Sequence, residues 1–260
     1  MNANKPDYLL EFENLTLGYE RHPAVHHLVG GIESGDLLAV VGPNGGGKST
    51  LLRGVMGELR PLGGAIHWRK GRQQLAYLPQ RARLDLDFPL RVADFVSLGH
   101  WPRCGAFGAI GGSHRSSVSD ALQQVGMQGF EQRPLDSLSG GQLQRVLFAR
   151  LMLEDAPLIL LDEPFAAVDE ATTADLLQLV HRWQAEGRTV LAVLHDLYQV
   201  RQHFPKCLLL ARDVLGFGAT DQVLTADNLA RARRMQAPFD PLAPICELDL
   251  PDDQPQRAHK

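Results

Sequence analysis

The sequence predicts an α/β fold, a parallel sheet core that carries a helical insertion. Three observations predict it. Short, nearly continuous apolar runs alternate with segments of helical period at both ends of the chain. The middle stretch has helical period alone. One glycine-rich bend joins an apolar run directly to a helix. The 260 residues, 44 % hydrophobic and 22 % charged, suffice for one large domain with an inserted subdomain and a sizeable core.

The elements follow in order. LLEFENLTL (9–17) alternates apolar and polar residues, as an edge strand does. DLLAVV (36–41) is apolar throughout, as a strand buried on both faces is. A helix runs from Lys48 to about Glu58, and LAYL (75–78) is a short buried strand. Glycines and prolines over 102–112 mark a loop. Val118, Ala121, Leu122 and Val125 then recur at i, i+3, i+4 and i+7, the period of a helix with one buried face. Residues 142–153 are helical again, LILL (158–161) is a buried strand, and Leu176, Leu177, Val180 and Trp183 fit a helix. TVLAVL (189–194) is a further strand and residues 207–211 a final one. The core therefore comprises residues 8–80 and 155–235, with the helical subdomain inserted at 81–154. From Ala237 on, five prolines and five acids against two basic residues predict an extended acidic tail over 236–260.

Bulk properties exclude several roles. A net charge of −4 gives no reason to expect a nucleic-acid partner. Cys104, Cys207 and Cys246 are far apart and form no CxxC, which predicts free thiols in a reducing compartment. The N-terminus lacks a signal-peptide stretch, and the apolar runs fall far short of the ~20 residues that cross a bilayer. The expected location is the cytoplasm, with no spanning segment. His22, His26 and His27 cluster without metal-ligand spacing and are expected to be surface histidines.

The chemistry is concentrated in short motifs. GPNGGGKST (42–50) lies between a strand and a helix, the context in which GxxxxGK[ST] cradles phosphates. Glycines let successive backbone N–H groups converge, and the helix N-terminus adds partial positive charge. Lys48 supplies a full charge for the β- and γ-phosphates, Ser49 a hydroxyl for Mg²⁺, and Thr50 a contact to the α-phosphate. LILLDEP (158–164) ends a buried strand in two acids. Asp162 is placed to hold Mg²⁺ through water and Glu163 to polarise the attacking water. LSGGQ (138–142) opens a helix and forms a second phosphate cradle.

On these motifs the chain resembles an ATP-binding cassette (ABC) ATPase over about residues 8–235. Gly42, Pro43, Asn44, Gly45, Gly46, Gly47, Lys48, Ser49 and Thr50 match Walker A. Ser139, Gly140, Gly141 and Gln142 match the family signature, and 158–163 matches Walker B. The resemblance implies a P-loop NTPase (RecA-like) core with an antiparallel β edge and an inserted helical subdomain. It also implies hydrolysis of Mg²⁺-ATP by a head-to-tail dimer in which each ATP lies on one copy's Walker A and under its mate's signature. Tyr19 resembles the aromatic that stacks on adenine. Gln80 resembles the Q-loop glutamine that reaches Mg²⁺, Asp169 the D-loop aspartate at the seam, and His195 the switch histidine on the γ-phosphate. Two departures stand out. Gly46 occupies a position where alanine or serine is commoner, which should loosen the bend, and AAVD replaces the commoner SALD.

Three further stretches bear on the task. LDLDFPLRVADFVSLGHW (84–101), FAAVDEAT (165–172) and FGATDQVLTADNL (217–229) resemble the group that imports metal ions and chelates, zinc and manganese above all. That resemblance implies membrane permease subunits as partners and, indirectly, an extracytoplasmic metal-binding protein. It places the chain as a peripheral subunit on the cytoplasmic face of the membrane. Zinc ranks first as cargo and manganese next, with an iron chelate or haem as the alternative. Phe88, Val92, Phe95 and Val96 offer an apolar face to the permease, or else pack within the helical subdomain. A soluble ABC ATPase acting on DNA or ribosomes would carry paired cassettes, coiled coils or zinc inserts, and none is present. LSGGQ and LLDEP together argue against a kinase or GTPase.

Overall fold

The computed structural model describes residues 8–20, 22–69, 74–80, 89–104 and 112–235. These form a nine-stranded sheet. From one edge, five neighbouring strands are parallel. They are β5 (Leu75–Leu78), β6 (Leu158–Asp162), β7 (Thr189–Val193), β3 (Leu37–Val41) and β8 (Lys206–Ala211). β9 (Asp213–Ala219) turns back antiparallel on β8. Beyond it lie β2 (His22–Glu33), β1 (Tyr8–Tyr19) and β4 (Gly63–Trp68), with β1 antiparallel to both β2 and β4.

Every residue of β3, β6 and β7 is buried, as continuous apolar runs require. Alternation then sorts them onto two faces. Leu37, Ala39, Val41, Ile159, Leu161, Val190 and Ala192 join one core. Leu38, Val40, Leu158, Leu160, Leu191 and Val193 join the other, against β1, β2 and α1 (Lys48–Met56). The first core takes in α2 (Val92–Ser97), α4 (Gly112–Gln124), α5 (Gly140–Glu154) and α6 (Glu170–Ala185). Phe148 on α5 stacks on Trp183 of α6 at 5.6 Å and 10°, and lies 6.4 Å from Phe165. α3 (Trp101–Cys104) follows α2, and α7 (Leu197–His203), α8 (Thr220–Val223) and α9 (Ala226–Arg234) surround β8 and β9.

Several expectations change. The strand expected at an edge over 9–17 lies inside the sheet, because β2 and β4 flank it. Both neighbours are hard to read, since Pro23, Gly30 and Gly31 interrupt β2 and Gly63 and Gly64 open β4. Residues 207–211 are not the last strand. Arg212, at φ 63°, turns the chain into β9. Val92 and Val96 are fully buried in the helical layer, so they present no face to a partner. Phe95 is half-buried under the Arg150 guanidinium, whereas Leu98 and Trp101 are exposed. Phe88, Cys246 and the tail over 236–260 lie outside the described residues. Among the described residues, no helix is long and apolar enough to cross a membrane.

Candidate active site

Four parallel strands deliver the site from their C-terminal ends, where ligands gather in open α/β sheets. β3 leads into the glycine bend, β5 into Gln80, β6 into Glu163 and β7 into His195. Glycine is obligatory at two points of the bend. A Cβ on Gly42 (φ 148°) would lie 1.8 Å from Leu210 O, and one on Gly47 (φ 92°) would lie 2.1 Å from Ala24 O. Gly46 sits where a Cβ would come within 2.7 Å of Leu210 O. Its N–H donates to Pro43 O at 3.1 Å, and its carbonyl accepts from Arg212 N at 3.1 Å. Gly47 then caps α1 in the left-handed region without a side-chain bond.

Lys48 is 7 % exposed, and its ammonium donates to Gly42 O at 2.9 Å and Pro43 O at 2.8 Å. Burial pulls its pKa below the ordinary lysine value, and Glu163 and then Asp162 push it back up. A buried cation over a ring of backbone amides is stabilised by an anion, so the loop fits a phosphate chain. Ser49 Oγ lies 3.3 Å from Asp162 Oδ2, and Tyr77 donates to that same oxygen at 3.4 Å. A hydroxyl and a carboxylate at one point are the hard oxygen donors that Mg²⁺ takes.

Glu163 is the focus of the arrangement. Gln80 Nε2 donates to its Oε2 at 2.9 Å, and His195 Nε2 lies 2.7 Å from its Oε1. Its backbone sits at φ 54°, uncommon for a side-chain-bearing residue, and its N–H donates to Val193 O at 3.1 Å. Such conformations cost about 1–3 kcal/mol and persist where the surroundings enforce them. Here β7 holds the main chain while Gln80 and His195 hold the carboxylate. The same bond turns the Gln80 amide nitrogen to Glu163 and leaves its carbonyl oxygen, the atom an amide offers Mg²⁺, out of that contact.

Tyr19 ends β1, is 43 % exposed, and accepts from Arg53 Nη1 at 3.1 Å, which leaves its ring accessible for stacking. The signature forms a complete capping box. Gln142 N–H donates to Ser139 Oγ at 3.3 Å, and Ser139 N–H donates to Gln142 Oε1 at 3.0 Å. Gly140 and Gly141 make the first turn of α5. Asp169 caps α6 by accepting from Thr172 N at 2.8 Å, and that bond, more than any other cause, holds its pKa below the usual carboxylate value. A Cβ on Gly141 would come within 3.1 Å of Asp169 Oδ2, so the signature turn and the aspartate cap are neighbours in one chain. Arg145 fastens them by bonding Thr172 Oγ1 at 3.3 Å and Asp175 at 2.7 Å. Spacing gave no sign of Arg145 or of Tyr77, because both act through contacts between distant segments. Among the described residues, no group of three or more metal-ligating side chains exists. His27 is exposed and bonds Asn14 at 2.9 Å.

Comparison with known proteins agrees with this geometry. The ABC transporter family model matches residues 25–166. A manganese transport system ATP-binding protein, MntB of Listeria monocytogenes, is 38 % identical over 228 residues, covering 85 % of this chain and 94 % of its own. A zinc transport system ATP-binding protein, TroB of Treponema pallidum, is 37 % identical over 86 % of each chain. Among solved structures, a metal-chelate type ABC transporter in an inward-facing conformation superposes with TM-score 0.79 at 33 % identity, over 87 % of this chain and 89 % of that one. A dimeric ATP-binding cassette bound to ADP and Pi gives TM-score 0.71 at 25 % identity, over 81 % and 98 %. With glycine bend, clamped glutamate and signature cap all in place, the chain belongs to the ABC transporter family, as one of its ATP-hydrolysing ATP-binding subunits.

Proposed function

We propose that the chain powers uptake of a divalent transition metal through separate membrane permease subunits, working as a head-to-tail pair at the cytoplasmic face of the membrane. The observation that carries the chemistry is the Glu163 carboxylate held between Gln80 and His195. In this reading Lys48 and the amides of 42–50 grip the triphosphate of ATP, and Tyr19 stacks on its base. Mg²⁺ on Ser49 and Asp162 neutralises phosphate charge when bound. Glu163 orients a water and takes its proton as the water oxygen bonds to the γ-phosphorus and the bond to ADP breaks. Gln80 and His195 fix the carboxylate for that transfer. Ser139, the amides of Gly140 and Gly141 and the side-chain amide of Gln142 serve the ATP held by the other copy, with Asp169 at the seam. That role suits their distance in the chain from Lys48 and their intact helix cap.

The exposed Trp101 and Leu98 are the apolar groups that this surface offers a permease. The cargo reading rests on relatives named for manganese and zinc. Their identities, 38 % and 37 %, differ by a margin that ranks neither metal. The likeness to a metal-chelate transporter favours a chelate as the second reading. Elemental analysis of a deletion strain grown in metal-poor medium tests both. Loss of cellular manganese or zinc, restored by the wild-type gene but not by one encoding Glu163→Gln, is the expected result. Unchanged manganese and zinc with a fall in iron would move the assignment to the chelate.

A further inference from the structure

Away from the phosphate site, two imidazoles face each other across two helices. His181 lies on α6, and His203 is the last residue of α7. His181 Nε2 and His203 Nδ1 are 3.3 Å apart, with ring planes tilted by 49°. Both rings are half-buried in the wall of a cavity of about 530 Å³, which Glu170, Asp196 and Tyr198 also line.

That separation has a chemical meaning. Two nitrogens bound to one tetrahedral ion, with bonds of about 2.05 Å and an angle of about 109°, lie about 3.3 Å apart. Burial first, and His203 second, hold His181 below the usual histidine value, which lowers the cost of the proton loss that metal binding requires.

We propose that His181 and His203 form a site for a Zn²⁺-class divalent cation, with water in the remaining positions, and that the bound ion staples α7 to α6. Imidazole nitrogen selects zinc, nickel or copper over Mn²⁺, which prefers oxygen. With no third protein ligand among the described residues, the ion is exchangeable, as a sensor requires. The two helices reach directly into the ATPase machinery. Asp196, the neighbour of His195, caps α7 by accepting from Tyr198 N at 2.8 Å and Gln199 N at 3.3 Å. α6 starts at the Asp169 cap, beside the signature turn. An ion that joins the helices restrains the histidine on Glu163 and the aspartate at the seam together, and so slows turnover. The site does not depend on which metal the transporter moves.

The test is Zn²⁺ binding by the full-length, untagged, nucleotide-free chain, read by competition with a chromophoric chelator. The expected result is one ion per chain, weakened at least about tenfold by His181→Ala or by His203→Gln. His26→Ala with His27→Ala should leave it unchanged, and Mn²⁺ should not compete. Zn²⁺ should slow the wild-type ATPase over the same concentration range and spare His203→Gln. Unaltered Zn²⁺ affinity in the His181 and His203 variants overturns the proposal, as does loss of binding with His26 and His27. If either variant fails to fold, imidazole proton resonances of the wild type decide. Those of His181 and His203 should shift on Zn²⁺ addition, and stationary resonances mean an ordinary N–H···N bond between the rings and overturn the proposal.

Discussion

At the scale of single residues, the account turns on one carboxylate and one ammonium. Replacing Glu163 by glutamine keeps the side chain's shape and removes its basicity. Turnover should fall by about 10²–10⁴ while ATP affinity is retained, measured by phosphate release and by fluorescent-nucleotide binding. Replacing Lys48 by alanine removes a buried charge from the phosphate loop. Each charge-assisted hydrogen bond contributes about 1.5–3 kcal/mol, so nucleotide affinity should drop about 10–100-fold or more. Glu163, Gln80 and His195 were legible as residues because each follows the end of a strand within a recognisable motif, and Lys48 because it opens the helix after the glycine bend. Their pairing was not. Gln80 meets Glu163 across 83 residues of sequence, and the left-handed backbone at Glu163 leaves no mark on residue type.

At the scale of elements, legibility followed hydrophobic pattern. β3, β6 and β7 are buried on both faces, and their apolar runs announced them. β2 and β4 carry proline or paired glycines, and β9 is half-buried between exposed ends, so neither alternation nor an apolar run marked these three strands. The bend before α1 is the most constrained connection. Gly47→Ala would place a methyl against Ala24 O at a positive φ, so it should cost about 3 kcal/mol or more and lower the unfolding midpoint.

The end of α5 carries a pH-dependent strain. Burial, opposed by Arg150, raises the Glu154 carboxyl from 4.5 to about 7. A folded-state pKa above the unfolded one means that the folded state binds more protons between those values. Stability therefore falls as pH rises from 4.5 to about 7 and levels off beyond. The change from this group is on the order of 3 kcal/mol. Urea unfolding should show Glu154→Gln more stable than wild type at pH 8 and equal to it near pH 4.5. Equal pH profiles would remove Glu154 as the cause.

At the scale of the whole molecule, two glycine-rich helix starts sit in one chain, and in the proposed function they serve different nucleotides. The glycine bend and clamped glutamate gather at the ends of β3, β5, β6 and β7, while Ser139 caps a helix of the inserted layer. Phe148 and Arg145 tie that layer to α6, the helix that Asp169 caps beside the signature turn. In the sequence the doubled cradle leaves two readings open, two phosphate groups on one copy or the nucleotide of another molecule, and the resemblance to ABC ATPases implies the second. The contacts that join the inserted layer to α6, among them Arg145 to Asp175, became visible only in the fold. The structure of the Glu163→Gln variant with ATP tests the central claim most directly. The account predicts a two-fold pair in which Ser139 and Gly141 of one copy lie within hydrogen-bond reach of the terminal phosphate held by Lys48 of the other. A single copy saturated with ATP, or a pair with Ser139 remote from that phosphate, would contradict it.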